Sequence, residues 1–361
     1  MELKNLFKKI YKKIIYSIFL MLYGKIKYLE KKLEEIKVTK INYIDNINLK
    51  KINYKIFEIK EARIFTNYVE CLGIIKKNFL IKDISFQQVN GKLQLSKNEI
   101  LKTGTPKIIK KFQGNMLSLT QGASGHSNYS HWLLDIIPKL KIFSEKYNLN
   151  KIDFFYFSKL NSFQKQTLKL LNLNPKKFVD SNKFRHVKAT KVYAVTHPNY
   201  FYGHIFDAHS NLPSWIVFHL RKTFLKKKFL KIKNYENIFI DRSDSIQSHC
   251  KLINNKDIVN FLKKKNFKIL KLSKLSFMDQ VSIFVNCKKI IAPHGAGLVN
   301  LVFCKKGTNV LEIITTDNPN KVYKKISNIN RLKHKYIYLK KIKKHKNGDM
   351  YLDLNELKKF L

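Results

Sequence analysis

The chain opens with a lysine-studded segment, Met1 to Lys13, followed by an unbroken apolar run, Ile14 to Gly24, that stops at Lys25. An apolar helix of that length falls short of the roughly 20 residues needed to cross a hydrocarbon core. A secretory signal would be followed by small residues at a cleavage site. Here Lys25 to Glu35 reads instead as a charged helical continuation. The expectation over residues 1–40 is a basic, amphipathic helical segment lying on an anionic leaflet. The competing reading is a helix packed on the protein body.

Between residues 41 and 115 short apolar runs (Ile52 to Ile59, Phe79 to Phe86, Lys92 to Leu95) alternate with Asn, Lys and Gly, which predicts strands and hairpins. Gly114 to Ser127 reads as a polar loop, Asn128 to Tyr147 carries helical periodicity, and Ile152 to Phe157 and Lys191 to Val195 read as strands. Helices are expected over Ser162 to Leu171 and Pro213 to Leu230, with Lys231 to Asn237 as a linker. Strands then alternate with helices. The strands are Asn237 to Ile240, Phe267 to Leu272, Lys289 to Ala292, Thr308 to Ile314 and His334 to Leu339. The helices are Asn254 to Lys265, Ser276 to Asn286 and Asn318 to Ile329. That alternation predicts a parallel sheet covered on both faces. The organisation that follows is the helical segment 1–40, a domain over 41–230 and a second over 231–361.

Residues 290–304 combine a buried strand, a proline, the turn His294-Gly295-Ala296-Gly297 and an apolar segment able to start a helix. The two glycines are expected to allow positive φ and close approach of a ligand. A helix N-terminus at such a turn presents unpaired N–H groups, which suits phosphate. In a parallel sheet ligands sit at the carboxyl ends of strands. Asp241 and Arg242, after the strand Asn237 to Ile240, fall at the same predicted edge. The alternative is a tight connection holding a satisfied histidine.

Charge sharpens the case for Arg242. The formal net charge is +46, yet only five of the 71 basic residues are Arg. The joint enrichment of Lys, Asn, Ile, Tyr and Phe fits an AT-rich coding background, so much of the lysine reads as drift on solvated faces. An Arg at a strand end then suggests the planar fork that grips phosphate or carboxylate; a structural pair with Asp241, Asp244 or Asp257 is the alternative. The basic balance draws the chain to anionic surfaces, but no zinc-finger spacing or RNA-binding aromatic signature supports a nucleic-acid role. The four cysteines, Cys71, Cys250, Cys287 and Cys304, show no CxxC spacing, which argues against a disulfide framework and a zinc site and fits a reducing compartment.

His131 and Asp135 are four apart and share a helix face. A carboxylate beside an imidazole fixes its tautomer and raises its basicity, as a general base requires; Trp132, Leu133, Ile136 and Ile137 would face the core. A helix-start histidine with a solvated partner is the alternative. A metal site from His126, His131, His204 and His209 is the weaker reading, since no HExxH or close His/Asp set is present. Glu312, inside the apolar run Val310 to Ile314, is costly to bury unless bonded; it could hold ribose or sugar hydroxyls, or pair with a lysine at an edge.

Taken in order, Asn128-Tyr-Ser-His-Trp-Leu-Leu-Asp135, Ile238-Phe-Ile-Asp-Arg242, Asn254-Asn255, Gln280, and Ala292-Pro-His-Gly-Ala-Gly-Leu-Val-Asn300 with Phe303, Gly307 and Glu312 resemble glycosyltransferase family 61. The resemblance covers roughly residues 115–330. It implies an α/β GT-B architecture, two Rossmann-like domains facing across a cleft, and inverting transfer that typically needs no metal. By resemblance, Arg242 and the turn His294, Gly295, Ala296, Gly297, with Asn300, would hold the diphosphate of a nucleotide sugar. Glu312 would meet its nucleotide or sugar, and His131 or Asp135 the acceptor. The chain departs from the family pattern at Ser248-His249-Cys250-Lys251, where Arg and Lys are usual, and at Asn254-Asn255, where Asn-Glu is usual. The expected activity is sugar transfer to a hydroxyl of a polysaccharide, glycolipid or glycoprotein, on the cytoplasmic side of an anionic membrane. A catalytically inactive GT-B scaffold recruited to membranes is the alternative.

Overall fold

The computed structural model describes every residue except 1, 31–32, 46, 48, 69–70, 121–127, 200–209, 228–229, 231–234, 246–249, 319 and 343–348. The expected linker from Lys231, the residues Ser248 and His249, and the histidines at 126, 204 and 209 therefore lie wholly or largely outside the described residues. The chain divides into two compact units, one of residues 1–45, 49–165 and 171–208, the other of 46–48, 166–170 and 209–361. Both are mixed α/β.

In the first unit a helix spans Glu2–Tyr23. It does not run on through the charged segment to residue 40: Gly24, at φ 74, donates its N–H to Leu20 O at 2.8 Å and stops it. The long strand Lys51–Tyr68 pairs antiparallel with Ile36–Ile44 on one side and His186–Val195 on another. Beyond His186–Val195 the pairing turns parallel, through Lys110–Ser118, Phe154–Phe157 and Phe178–Asp180 in that order. The last of these, only three residues long, is not legible as a strand in the pattern. The core is aliphatic, with Ile59, Ile64, Val187 and Val192 fully buried.

His186 starts one of these strands and is buried edge-on to Tyr23 and Phe65, its Nδ1 bonded to Lys107 O at 2.7 Å. Burial pulls its pKa down to about 4. Since the unfolded histidine titrates near 6.5, it takes up its proton first as pH falls, so stability is full above about 6.5 and declines toward 4. His197, also held low by burial, acts with the same sign. The unfolding free energy from denaturant titration is expected to fall across this window, by on the order of 3 kcal/mol for His186. H186F should flatten the decline; an unchanged slope in that variant would refute the assignment.

The second unit carries a five-stranded, wholly parallel sheet. In chain order its strands are Asn237–Ile240, Lys268–Leu270, Lys289–Pro293, Asn309–Thr315 and Lys333–Leu339; in space they run second, first, third, fourth, fifth. Helices Asn255–Lys264, Phe277–Asn286 and Val322–Ile329 connect them. The alternation read from sequence is realised here, with the helix from Pro213 shortened to Ser214–Phe224 and the one from Asn318 starting at Val322. The chain reverses its direction of winding between the first and third strands. In such sheets that reversal opens a crevice at the carboxyl ends.

Candidate active site

The two strands that flank the reversal end in Asp241-Arg242 and in His294-Gly295. After Gly295 the chain enters a 3-10 helix, Ala296–Phe303, whose first N–H groups have no partner within the helix. Its far end is closed. Arg221 Nη1 donates to Val302 O and Cys304 O at 2.7 Å, and Asn330 Nδ2 to Leu301 O and Val302 O at 2.8 Å. A cation thus neutralises the carbonyl end, and the N–H end is left for an anion.

Arg242 lies directly on that open end. A Cβ on Gly295 would stand 1.9 Å from Arg242 Nη1. Neither Gly295 nor Gly297 adopts positive φ in the left-handed region; Gly295 is extended at φ 167. The glycine at 295 is required by the guanidinium packed against it, which corrects the reason expected from sequence. Arg242 Nη2 reaches Ser245 Oγ at 3.3 Å, while buried Nη1 has no hydrogen-bond partner among the described residues. Burial lowers the Arg242 pKa; a cation taken out of water in this way calls for an anion.

The structural pairing weighed for Arg242 is not formed among the described residues. Asp241 accepts instead from Ser243 N–H at 2.9 Å, Ser243 Oγ at 3.1 Å and Asn255 Nδ2 at 3.0 Å. The second asparagine of the Asn254-Asn255 pair thus anchors the strand end that carries Arg242.

His294 is buried beside this turn, with its ring 5.1 Å from Tyr323. Its Nδ1 bonds Glu312 Oε1, and Glu312 Oε2 lies 3.0 Å from His334 Nε2, whose ring Nδ1 meets Ser327 Oγ at 2.7 Å. Burial alone would raise the Glu312 pKa; the bonds from His294 and His334 outweigh it and hold the carboxylate low. Glu312 is 1% exposed and both oxygens are taken. Its partners are the two histidines and not the lysine weighed from sequence, so any influence on a ligand would pass through His294. Asn300, fully buried, gives its amide to Gln280 Oε1 at 2.9 Å. That bond braces the 3-10 helix from within. Ala296 and Gly297 are half-buried at the open helix end.

The second constellation belongs to the first unit. Asn128 caps the helix, accepting from Ser130 and His131 N–H at 3.0 and 3.2 Å. The helix then widens into a π turn over Trp132–Ile136, where Ile137 N–H bonds Trp132 O. Pro138 brings no N–H to the carbonyl of Leu134; Asn199 Nδ2 donates to that carbonyl at 3.3 Å and to Asp135 Oδ1 at 2.7 Å. His131 Nδ1 meets Asp135 Oδ2 at 2.7 Å, and His197 Nε2 lies 3.6 Å from the same oxygen. Asn199 N–H bonds His197 Nδ1 at 3.4 Å, so the proton of His197 sits on the nitrogen facing Asp135.

Asp135 is 2% exposed. Burial pushes its pKa up, but attraction to His197 and His131 outweighs that and holds it well below the usual carboxylate range. Lys139, one turn on and also buried, is pulled down to about 7 by burial, against the pull of Asp135. Trp132, Leu133, Ile136 and Ile137 are in the core, as the spacing predicts. His197 and Asn199 follow the strand His186–Val195, the parallel neighbour of the strand that precedes His131. Sequence reading misses them, as it misses Lys139, His334 and Arg221.

Where the winding of the α/β sheet reverses, a guanidinium whose Nη1 has no hydrogen-bond partner among the described residues lies against a helix N-terminus, an arrangement suited to an anionic group. The family model described as Glycosyltransferase 61 matches residues 129–311, half of the chain, a span that includes His131, Asp135, Arg242 and His294 and ends just before Glu312. The chain belongs to glycosyltransferase family 61. It is a glycosyltransferase, using a sugar donor and a glycan acceptor. No curated protein matches it.

Proposed function

We propose that the protein is an inverting GT-B glycosyltransferase. The second unit binds a nucleotide-diphosphate sugar and the first meets the acceptor, a hydroxyl of a surface polysaccharide, glycolipid or glycoprotein, with the enzyme held peripherally at a membrane. The observation that carries the donor assignment is buried Arg242 Nη1, unsatisfied among the described residues and lying against Gly295 at the mouth of the crevice. A diphosphate supplies the oxygens this fork lacks.

In the proposed reaction the acceptor hydroxyl attacks the anomeric carbon on the face opposite the diphosphate. The new carbon–oxygen bond forms as the bond to the diphosphate breaks, and that electron pair leaves with the phosphate oxygen. Arg242 and the N–H groups of Ala296 and Gly297 meet the developing charge. Those groups already answer the leaving group's charge, so the proposal needs no divalent cation. His131 is the better candidate for the base. Its bond to Asp135 puts the proton on Nδ1 and the lone pair on Nε2, whereas Asp135 has both oxygens engaged.

Incubating the protein with a panel of nucleotide sugars and acceptor glycans, with and without EDTA, is expected to release nucleoside diphosphate in both conditions with one donor. No release and no nucleotide binding with any donor would overturn the donor assignment. Activity lost to EDTA and restored by a divalent cation would overturn the metal-free step.

A further inference from the structure

We propose that the outward face of the N-terminal helix, Glu2–Tyr23, is a docking surface for an anionic lipid bilayer. This takes the membrane association proposed above to one face and one lipid chemistry. It does not depend on the sugar chemistry.

The C-terminal turns of the helix fix its orientation. Tyr23 accepts from Ile109 N–H at 3.3 Å and packs its ring edge-on to His186 at 5.2 Å, with the Arg63 guanidinium 5.8 Å from its centre. Leu20 sits over Gly104, where a Cβ would come within 2.9 Å of its Cδ2. With about 100° of rotation per residue, Tyr16, Phe19, Leu20 and Tyr23 fall on one side of the helix, and all are half-buried.

The opposite side is apolar and bare. Phe7, Ile10, Tyr11, Ile14, Ile18 and Met21 are between 42% and 80% exposed. They fall within an arc of about 100°, turned away from the body-facing side. So concentrated a row of exposed aliphatic and aromatic side chains marks an interaction surface. Lys8 and Lys13 stand at its two margins, each about 60° from the apolar arc, with Lys9 and Lys12 behind. No acidic residue occurs between Glu2 and Glu30.

That charge selects the occupant. A second copy would bring two lysine clusters together on chains of formal charge +46, whereas anionic headgroups complement them. Apolar side chains at the centre and lysines at the edges are the arrangement of a helix lying in the plane of a bilayer surface. Among the described residues no helix is long and apolar enough to cross a membrane.

The test is flotation of the full chain with vesicles of phosphatidylcholine alone and with phosphatidylglycerol added. The wild type is expected to float with the anionic vesicles and to remain with them at raised salt more than a purely electrostatic binder would, because the apolar face is unaffected by screening. The pair I10E/I14E should reduce binding at least about tenfold. The matched pair I44E/I108E changes two other exposed apolar residues of the same unit, 61% and 81% exposed, and should bind as wild type. Equal loss in both pairs, or full binding by I10E/I14E, would overturn the proposal. So would a dimer in solution, without vesicle binding, that I10E/I14E dissociates. Flotation reads none of the transfer chemistry, so a failed turnover assay leaves this result standing, and the reverse.

Discussion

R242A is expected to lower kcat/KM for nucleotide-sugar turnover by about 10²–10³-fold and to weaken binding of inorganic pyrophosphate by about 10–100-fold. The reason is the position of the guanidinium: buried, pressed on Gly295 and with Nη1 unpartnered among the described residues. R242K should recover little of the loss, since a lysine carries the charge without the planar fork. G295A makes the same point without touching the charge, because the added methyl would meet Nη1 at 1.9 Å and must displace it. Calorimetric titration with pyrophosphate and a nucleoside diphosphate panel, beside steady-state kinetics, checks all three. Unchanged KM and kcat in R242A would remove the arginine from the donor site.

The second large effect is expected at His131. H131A should lower kcat by about 10²–10⁴-fold while leaving pyrophosphate binding as in wild type, since it belongs to the other unit. Added imidazole should restore part of the rate in H131A, a readout that a merely structural histidine would not give. D135N should also lower kcat, because the amide no longer holds the imidazole Nδ1–H with a full charge. Asp135 also meets Asn199 and His197, so thermal unfolding of D135N must be followed alongside. If H131A and wild type turn over equally, the acceptor base lies elsewhere.

The residues around Arg242 and His294 are largely legible in the amino-acid pattern, for local reasons. A hydrophobic run that ends in Asp-Arg, and another that ends in Pro-His-Gly, announce two strand ends, and a lysine-rich chain that uses Arg at one of them marks a geometric need. What those residues do for one another is not legible there. Gly295 reads as a residue for positive φ, yet its φ is extended and its need for hydrogen is a neighbour contributed by a different strand. Glu312 reads as a ligand contact, and its partner His334 is supplied by the next strand of the sheet. Asn300 lies in the right motif but turns inward to Gln280.

The cluster around Asp135 divides in the same way. His131 and Asp135 pair through local helical spacing, which four positions of sequence suffice to show. His197 and Asn199 lie more than sixty residues away and carry no pattern of their own. One signal is present: Pro138 inside a helical segment must free the carbonyl of Leu134, and a freed buried carbonyl needs a donor. That the donor is Asn199, and that it also grips Asp135, follows only from the parallel pairing of two strands.

Periodicity, and interactions within one turn or one strand end, thus suffice to specify the α/β class, the strand ends, the His131–Asp135 pair and the arginine placed at a strand end. The folded chain alone settles where the second sheet reverses, which side chains close around Arg242 and Glu312, and which face of the first helix stays bare. Those depend on contacts between segments far apart in the chain, where burial and geometry, not spacing, select the partner.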